Sequence, residues 1–464
     1  MNKAKRRETF RRIGAILLIG LIGQIAWAIE NNFINLWVFS QSHDVNHINW
    51  MTTASAVVAT LTTFFMGALS DRFGKRRIFI ALGYTIWGVF VFLFGVASFS
   101  NMEAIAGGDP ATAILLVGVF NVIIDCLMTF FGSTSNDAAF NAFVTDQTSE
   151  QERPLLESVL SVMPLLSLAI MMLIGMALGI PDASKSAAEI AGPWFIFFLI
   201  FGILITSIGI LSFFFLPKDN VIPNREENYL KHMVSGFRPK NVKKHPSFYI
   251  ALLAFLCFNI AVDAFMPYFM VYFQGMSTFS GMNFYIALGS IMGAGSIFVI
   301  VLGLFMEKIG KMNVLIPAIV LMAGGALGLY FSGDNFAFCI VFGILLIAGY
   351  LVGTASLSAE IRDHTPQQEV GAFQSARMVF AVMLPMVIGS NISNAVFAHE
   401  YTDEFGQLVK APDRNMWLVV LVAAIVALAP ILWLLLYTKK SKLANLTAPQ
   451  QNKEMGTETD ESSK

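Results

Sequence analysis

The stretch Gly67–Arg77, GALSDRFGKRR, separates two strongly apolar runs, Trp50–Ser70 and Ile78–Ser98. Each run has the ~20 residues that a helix needs to cross the hydrocarbon core of a bilayer. The joint between them is only a few residues long, so the two helices must run antiparallel. Asp71, Arg72, Lys75, Arg76 and Arg77 cannot sit in hydrocarbon, so this joint marks a membrane surface. Gly67 allows close helix approach and Gly74 allows a tight reversal. Composition agrees: 13% of the 464 residues are charged and 56% hydrophobic, where a soluble protein carries about 25% charged residues. Cys126, Cys257 and Cys339 all lie in apolar runs, so no disulfide framework is implied.

Twelve such runs can be drawn. The first follows a basic segment, Met1–Arg12, and continues through Trp27 to Phe39 with no convincing cleavage site, so it reads as a helix rather than a signal peptide. The others are Trp50–Ser70, Ile78–Ser98, Thr112–Phe131 (extended by Gly132–Thr145), Leu155–Ile180, Pro193–Leu216, Phe248–Phe273, Asn283–Met306, Val314–Phe331, Phe336–Ser358, Gly371–Phe397 and Met416–Tyr437. The expected fold class is an all-α integral membrane protein of two six-helix bundles, residues 1–216 and 248–438. A polar linker, 217–247, joins them, and a disordered tail, 439–464, follows. Of the 30 Lys and Arg residues, only Lys185, Lys410 and Arg414 fall in connections on one side; the excess on the other predicts that both termini are cytoplasmic in a cell membrane. The basic linker is read as a plain inward loop over membrane lipid.

The Gly67–Arg77 joint resembles the signature loop between helices 2 and 3 of the major facilitator superfamily, G-x-L-x-D-R-x-G-[RK]-[RK]; Gly67, Leu69, Asp71, Arg72, Gly74, Lys75 and Arg76 all match. GLFMEKIGK at Gly303–Lys311 repeats it, with Glu307, Lys308, Gly310 and Lys311 in the places of Asp71, Arg72, Gly74 and Lys75. AIE at Ala28–Glu30 returns as AVD at Ala261–Asp263, Gln41 as Gln274, and DQTSEQE at Asp146–Glu152 as DHTPQQE at Asp363–Glu369, in the same order in each half. The resemblance implies the major facilitator fold, a parallel repeat, and a substrate cavity surrounded by helices 1, 4, 7 and 10.

Polar residues inside spans need a reason. In helix 1, Glu30 lies in the outer half, and beside it Gln24, Asn31 and Asn35 fall within about 40° on a helical wheel. Helix 7 carries Asn259 and Asp263, and helix 4 carries Asn121 and Asp125, each pair four residues apart on one face, which Gly132 and Asn136 extend in helix 4. Glu30, Asp125 and Asp263 are therefore the expected proton-coupling acids. Gln24, Trp27, Asn31, Asn35, Asn121 and Asn259 are the expected substrate contacts. A carboxyl group buried in a low-dielectric cavity can load and release a proton, because burial penalises its charged form. Trp87 is a further stacking candidate, whereas Trp37, Trp50, Trp194 and Trp417 read as an interfacial aromatic belt. His43 and His47 flank Asp44 in an outward loop, outside the apolar runs, and no metal or cofactor is expected.

On the cytoplasmic side, the resemblance suggests a gate. Asp71 would bind the start of helix 11 beside Arg377, and Glu307 the start of helix 5 near Arg153. Arg72 and Lys75 would pair with Asp146, and Lys308 and Lys311 with Asp363. NAFVTDQTSEQERP followed by LLES resembles the glycoside–pentoside–hexuronide symporters and the sucrose–proton carriers. That implies uptake of a sugar or glycoside with a cation. Sodium-using members place acids on helix 2, where this chain has Thr52, Thr53, Thr60, Thr62 and Thr63, so the proton is favoured over sodium. Two alternatives stand beside it: a proton-coupled drug or metabolite exporter, and a non-transporting membrane sensor. The connectors hold no phosphate-cradling loop, and the chain has no nucleophile–His–acid constellation, so an enzyme is not expected; nor is a nucleic-acid partner. A monomer is expected.

Overall fold

The computed structural model describes residues 3–149, 152–182, 184–219, 236–310, 312–365, 370–397, 399–402 and 408–458. Among them are 12 helices long and apolar enough to span a membrane. They are α1 (Thr9–Ser42), α2 (Val45–Phe73), α3 (Arg76–Phe94), α4 (Pro110–Gln147), α5 (Leu156–Leu178), α6 (Ala187–Phe215), α7 (Pro246–Gln274), α8 (Met282–Gly303), α9 (Leu315–Ser332), α10 (Phe336–His364), α11 (Ser375–Val396) and α12 (Asn415–Lys440). A two-stranded antiparallel hairpin, β1 (His399–Thr402) and β2 (Leu408–Ala411), joins α11 to α12. The last helix continues from α12 to Glu458, where composition alone suggests an unfolded tail from Lys439. Most of the linker, 220–235, lies outside the described residues.

The packing repeats with a period of six helices. α1 packs on α5 and α6, as α7 does on α11 and α12; α3 packs on α4 and α6, as α9 does on α10 and α12; α2 packs on α4, as α8 does on α10. The repeated charged turns share their geometry: Gly74 has φ +60° and Gly310 φ +89°, left-handed values that a side chain would disfavour. Gly74 closes α2 with its N–H on the Ser70 carbonyl at 2.9 Å. Small residues let the helices meet backbone to backbone. Gly88 lies against Thr206 and Gly202 between α3 and α6, and Gly325 and Gly349 lie against Leu346 and Met322 between α9 and α10. The outer faces are apolar, with Phe214 and Phe331 at least three-quarters exposed, as a helix surrounded by lipid requires.

Between the bundles, α2 meets α11, α5 meets α8, and α1 meets α7. We term the face carrying Gly67–Arg77 the basic face and the other the far face. On the far face α2 meets α11: Asn49 Nδ2 donates to Asn391 Oδ1, Asn391 Nδ2 to Thr53 Oγ1 and Asn394 Nδ2 to Asn46 Oδ1, each at 3.0 Å. The Tyr401 hydroxyl of β1 donates to the His43 carbonyl at 3.1 Å. Near the far face α5 and α8 come together where Gly175 lies under the Tyr285 hydroxyl, and the outer ends of α1 and α7 pack together. The far face is therefore sealed across the bundles.

Several expectations are corrected here. Trp37, Trp194 and Trp417 are fully buried in aromatic clusters rather than in an interfacial belt; Trp50 is the exposed one. Depth within the bundle, which span boundaries do not reveal, separates the two cases. Trp87 is also fully buried, edge-on to Trp27 and Tyr84, and is closed to any ligand. His47 lies inside α2, not in a loop; it is buried, packed on Gly118 and on the Trp50 ring.

Candidate functional site

Three of the spans that surround the centre are not regular α-helices. α1 widens into a π segment at Ile29–Ile34, α4 at Ser133–Phe140 and α11 at Val379–Met383. Such turns loosen the backbone ladder and cluster at functional sites. In α1 the side-chain amides of Asn31, Asn32 and Asn35 bond back to the carbonyls of Trp27, Ala28 and Asn31, at 2.8, 3.0 and 3.3 Å. That leaves their side-chain oxygens available to a solute.

The seventh span is broken. Its α-helical part ends at Asp263, and a 3-10 turn, Met266–Tyr268, precedes the next helical turns. Pro267 lies four residues after Asp263 and has no N–H to give its carbonyl. α11 stitches the break: Ser393 Oγ donates to the Ala264 carbonyl at 2.5 Å. The repair is reciprocal, because Pro385 likewise deprives the Ala381 carbonyl in α11, and Asn259 Nδ2 of α7 donates to that carbonyl at 2.8 Å. Asn259 is thus committed to the helix contact and does not line the cavity. Asn259→Leu leaves a carbonyl unpaired inside the membrane, at a cost of about 1–3 kcal/mol. The expected result is a lower melting temperature of the purified protein with unchanged solute affinity; weakened affinity would return Asn259 to the binding site.

A central cavity of about 560 Å³ lies between the bundles. All three acids line it: Glu30 from α1, Asp125 from α4 and Asp263 from α7. Gln24, Trp27, Asn31 and Asn35 line it too. Asn121 does not; it is fully buried, with its amide on the Val117 carbonyl at 2.7 Å and the Ala97 carbonyl at 3.4 Å. Sequence reasoning missed Asn32, Thr52, Ser55, Ser161, Ser296 and Tyr350 on the wall. Asn32 faces inward because the π segment shifts the face of α1. The polar spacing of Thr52 and Ser55 in α2 was the available signal.

The two acids of the first bundle are neighbours. Thr129 Oγ1 donates to Glu30 Oε1 at 2.9 Å, and Ser55 stands beside Asp125. Glu30 and Asp125 feel one another's charge. Glu30 Oε2 and Asp125 Oδ1 are buried without a hydrogen-bond donor among the described residues. Two adjacent carboxylates in a water-poor site cannot both hold charge cheaply, so at least one is suited to carry a proton. Asp263 stands across the cavity beside Tyr350.

Among the described residues on the basic face, Arg12 and Arg76 pair with acids of their own bundle. Arg76, not Arg72 or Lys75, holds Asp146, at 2.9 Å, and it also holds Asp71 at 2.9 Å. Arg76 is the buried member of the cluster, while Arg72 and Lys75 are exposed. The Arg77 N–H donates to Asp219 Oδ1 at 3.1 Å, and Arg12 pairs with Glu152 through both carboxylate oxygens at 2.9 Å. Asp71 is thus engaged away from α11. Arg377, in α11, lies instead within electrostatic reach of Arg362. Lys308 and Asp363 are exposed. Lys311, and the side chains of Arg153 and Glu307, lie outside the described residues.

The family model of the Major Facilitator Superfamily matches residues 16–390. Solved structures with the same fold include the nucleoside transporter NupG, as its D323A mutant, at 12% identity and TM-score 0.67, covering 91% of this chain and 99% of that one. NupG itself is 13% identical, with TM-score 0.61, covering 92% and 99%. A bacterial homologue of the human lysosomal transporter Spinster, solved in an inward-facing and unoccupied conformation, is 12% identical, with TM-score 0.56, covering 94% and 96%. No curated protein matches the chain. With a family model spanning most of its length, twelve spans and a two-bundle repeat around one cavity, the chain belongs to the major facilitator superfamily and is a multi-pass membrane transporter.

Proposed function

We propose that this secondary transporter takes up a sugar or glycoside together with a proton. The observation that carries the reading is the pair of buried carboxylate oxygens, Glu30 Oε2 and Asp125 Oδ1, left without a donor among the described residues in a cavity walled by Gln24, Asn31, Asn32 and Asn35. Carboxamides give and accept hydrogen bonds in the pattern that a polyhydroxylated solute needs, and Trp27 offers one apolar ring face to a sugar. A drug pocket would be more apolar. One chain supplies the whole wall, which fits a monomeric working unit.

The excess of Lys and Arg on the basic face supports a cytoplasmic position for both termini in the cell membrane. The cavity, sealed on the far face, then faces the cytoplasm. In the reverse state Asp71 would leave Arg76 for the start of α11, closing the basic face. Residues 1–216 and 248–438 would move as the two bodies, and 217–247 would be their tether.

The test is uptake into proteoliposomes from a panel of labelled sugars, glycosides and nucleosides, with and without an inward pH gradient. Sugar accumulation that rises with external acidity is the expected result. Accumulation of nucleosides alone would replace the substrate class, efflux driven by the gradient would replace the direction, and no flux of any solute would favour a sensor.

A further inference from the structure

α4 carries a polar residue at every fourth position along most of its length: Asn121, Asp125, Thr129, Ser133, Asp137, Asn141 and Thr145. In a regular α-helix four residues overshoot one turn by about 40°, so such a row winds steadily away from its starting face. The π segment Ser133–Phe140 changes this. Its wider turn makes each four-residue step fall short of a full turn, which cancels part of the winding. Asp137 and Asn141 are thereby returned toward the side of the helix that bears Asp125 and Thr129.

Thr129 holds Glu30, Asn136 Nδ2 donates to Asp137 Oδ1 at 3.4 Å, and Asn141 Nδ2 to the Asp137 carbonyl at 3.2 Å. Between them Ser133 stands beside the Asp137 carboxyl, its hydroxyl buried with no hydrogen-bond partner among the described residues and so free to turn toward either side. Asp137 lies within electrostatic reach of Glu30 on α1 and of Tyr84 on α3. α2, which also packs on the π segment, has no ionisable group between His47 and Asp71. Asp137 itself is partly exposed, whereas Ser133–Asn136 around it are buried. It stands on the basic side of Glu30 and Asp125, the side opposite the α2–α11 hydrogen bonds. Hydroxyl groups alone would serve helix packing; a carboxyl group in a span is costly and needs a further reason.

We propose that Asp137 is a proton relay between the basic-face solution and the Glu30–Asp125 pair, with Ser133 and Thr129 as the hydroxyl steps between them. This rests on the proton-coupled reading above. In release, the Glu30 carboxyl gives its proton along Thr129 and Ser133, and the Asp137 carboxylate ends protonated. Asp137 then gives that proton to the basic-face solution and returns to the carboxylate. No atom other than the proton changes place. Acidifying the basic-face solution drives the same steps in reverse.

The experiment needs no identified solute, because the probe is a pH jump. The full-length protein in nanodiscs is shifted between about pH 5 and 9, and the carboxyl C=O bands of Glu30 and Asp125, assigned with Glu30→Gln and Asp125→Asn, are followed by time-resolved infrared spectroscopy. Asp137→Asn is expected to slow the appearance of those bands at least ~10-fold while leaving the equilibrium titration of the pair in place. Asp137→Glu restores the rate. A role in folding alone would move the equilibrium titration or the melting temperature, not the rate by itself. Wild-type rates in Asp137→Asn overturn the relay. Should that variant fail to fold, Ser133→Ala leaves every carboxyl group in place and is expected to slow the same bands; an unchanged rate there overturns the relay equally. Bands in the wild type that do not respond to pH overturn the proton-coupled reading itself, and the relay with it.

Discussion

Glu30→Gln should abolish solute accumulation driven by a pH gradient and leave solute exchange at equilibrium intact. The amide keeps the Thr129 hydrogen bond, because its oxygen accepts as Glu30 Oε1 does at 2.9 Å. It stays uncharged in every state, so it mimics the proton-loaded carboxyl and can hold a sugar hydroxyl. What it cannot do is unload. Exchange requires only reorientation of the loaded cavity, whereas net accumulation requires the empty cavity to return without its proton. The expected loss is the whole gradient-driven component, while counterflow of labelled against unlabelled sugar continues at near the wild-type rate. Asp125→Asn should show the same signature in weaker form, since Glu30 and Asp125 feel each other's charge and removing one makes the other easier to ionise. Accumulation that still follows pH in both variants would move the coupling site to Asp263. Loss of exchange in both would place the pair in the solute site or the fold.

The pairing of Glu30 with Asp125 was not legible in the chain. AIE and AVD repeat, so Glu30 and Asp263 are natural partners on paper, yet they face each other across the cavity while Asp125 sits beside Glu30. Spans, connections and the repeat were legible for a plain reason. A bilayer demands ~20 apolar residues per crossing and expels charge to its surfaces, and both demands are local in sequence. Helix irregularities are not local. Pro385 signals a bend, but nothing near it reveals that Asn259, on another span, will cap the freed Ala381 carbonyl. The same limit explains Asp137. With regular α-helical steps it drifts off the Asp125 face; only the π segment brings it back. Arg76 shows a third case. Four basic residues in one joint look alike in sequence, and Arg76, the buried one, takes both Asp71 and Asp146.

The far-face hydrogen bonds are expected to set the balance between the two proposed access states. Three cross-bundle hydrogen bonds join Asn46, Asn49 and Thr53 of α2 to Asn391 and Asn394 of α11. Each contributes about 1 kcal/mol net, so removing all three shifts the equilibrium by ~2–3 kcal/mol, or roughly 30–150-fold. Asn391→Ala with Asn394→Ala is therefore expected to populate the state open at the far face. A single cysteine in place of Asn35, on the cavity wall, should then react with a membrane-impermeant maleimide added from the far side in intact cells. Asp71→Asn should move the same readout the other way. It weakens the proposed contact with the start of α11 that holds the basic face shut, and in the present state it gives up only one of the two carboxylates on Arg76. Combining the changes tests whether the two clamps compete for one rocking equilibrium. If they do, the triple variant should label at close to the wild-type rate, because the two free-energy shifts oppose each other and the sites lie on opposite membrane faces, far enough apart to add. If labelling in Asn391→Ala with Asn394→Ala matches the wild type, the far-face bonds only decorate a closure made by the packing of α5 on α8 and of α1 on α7.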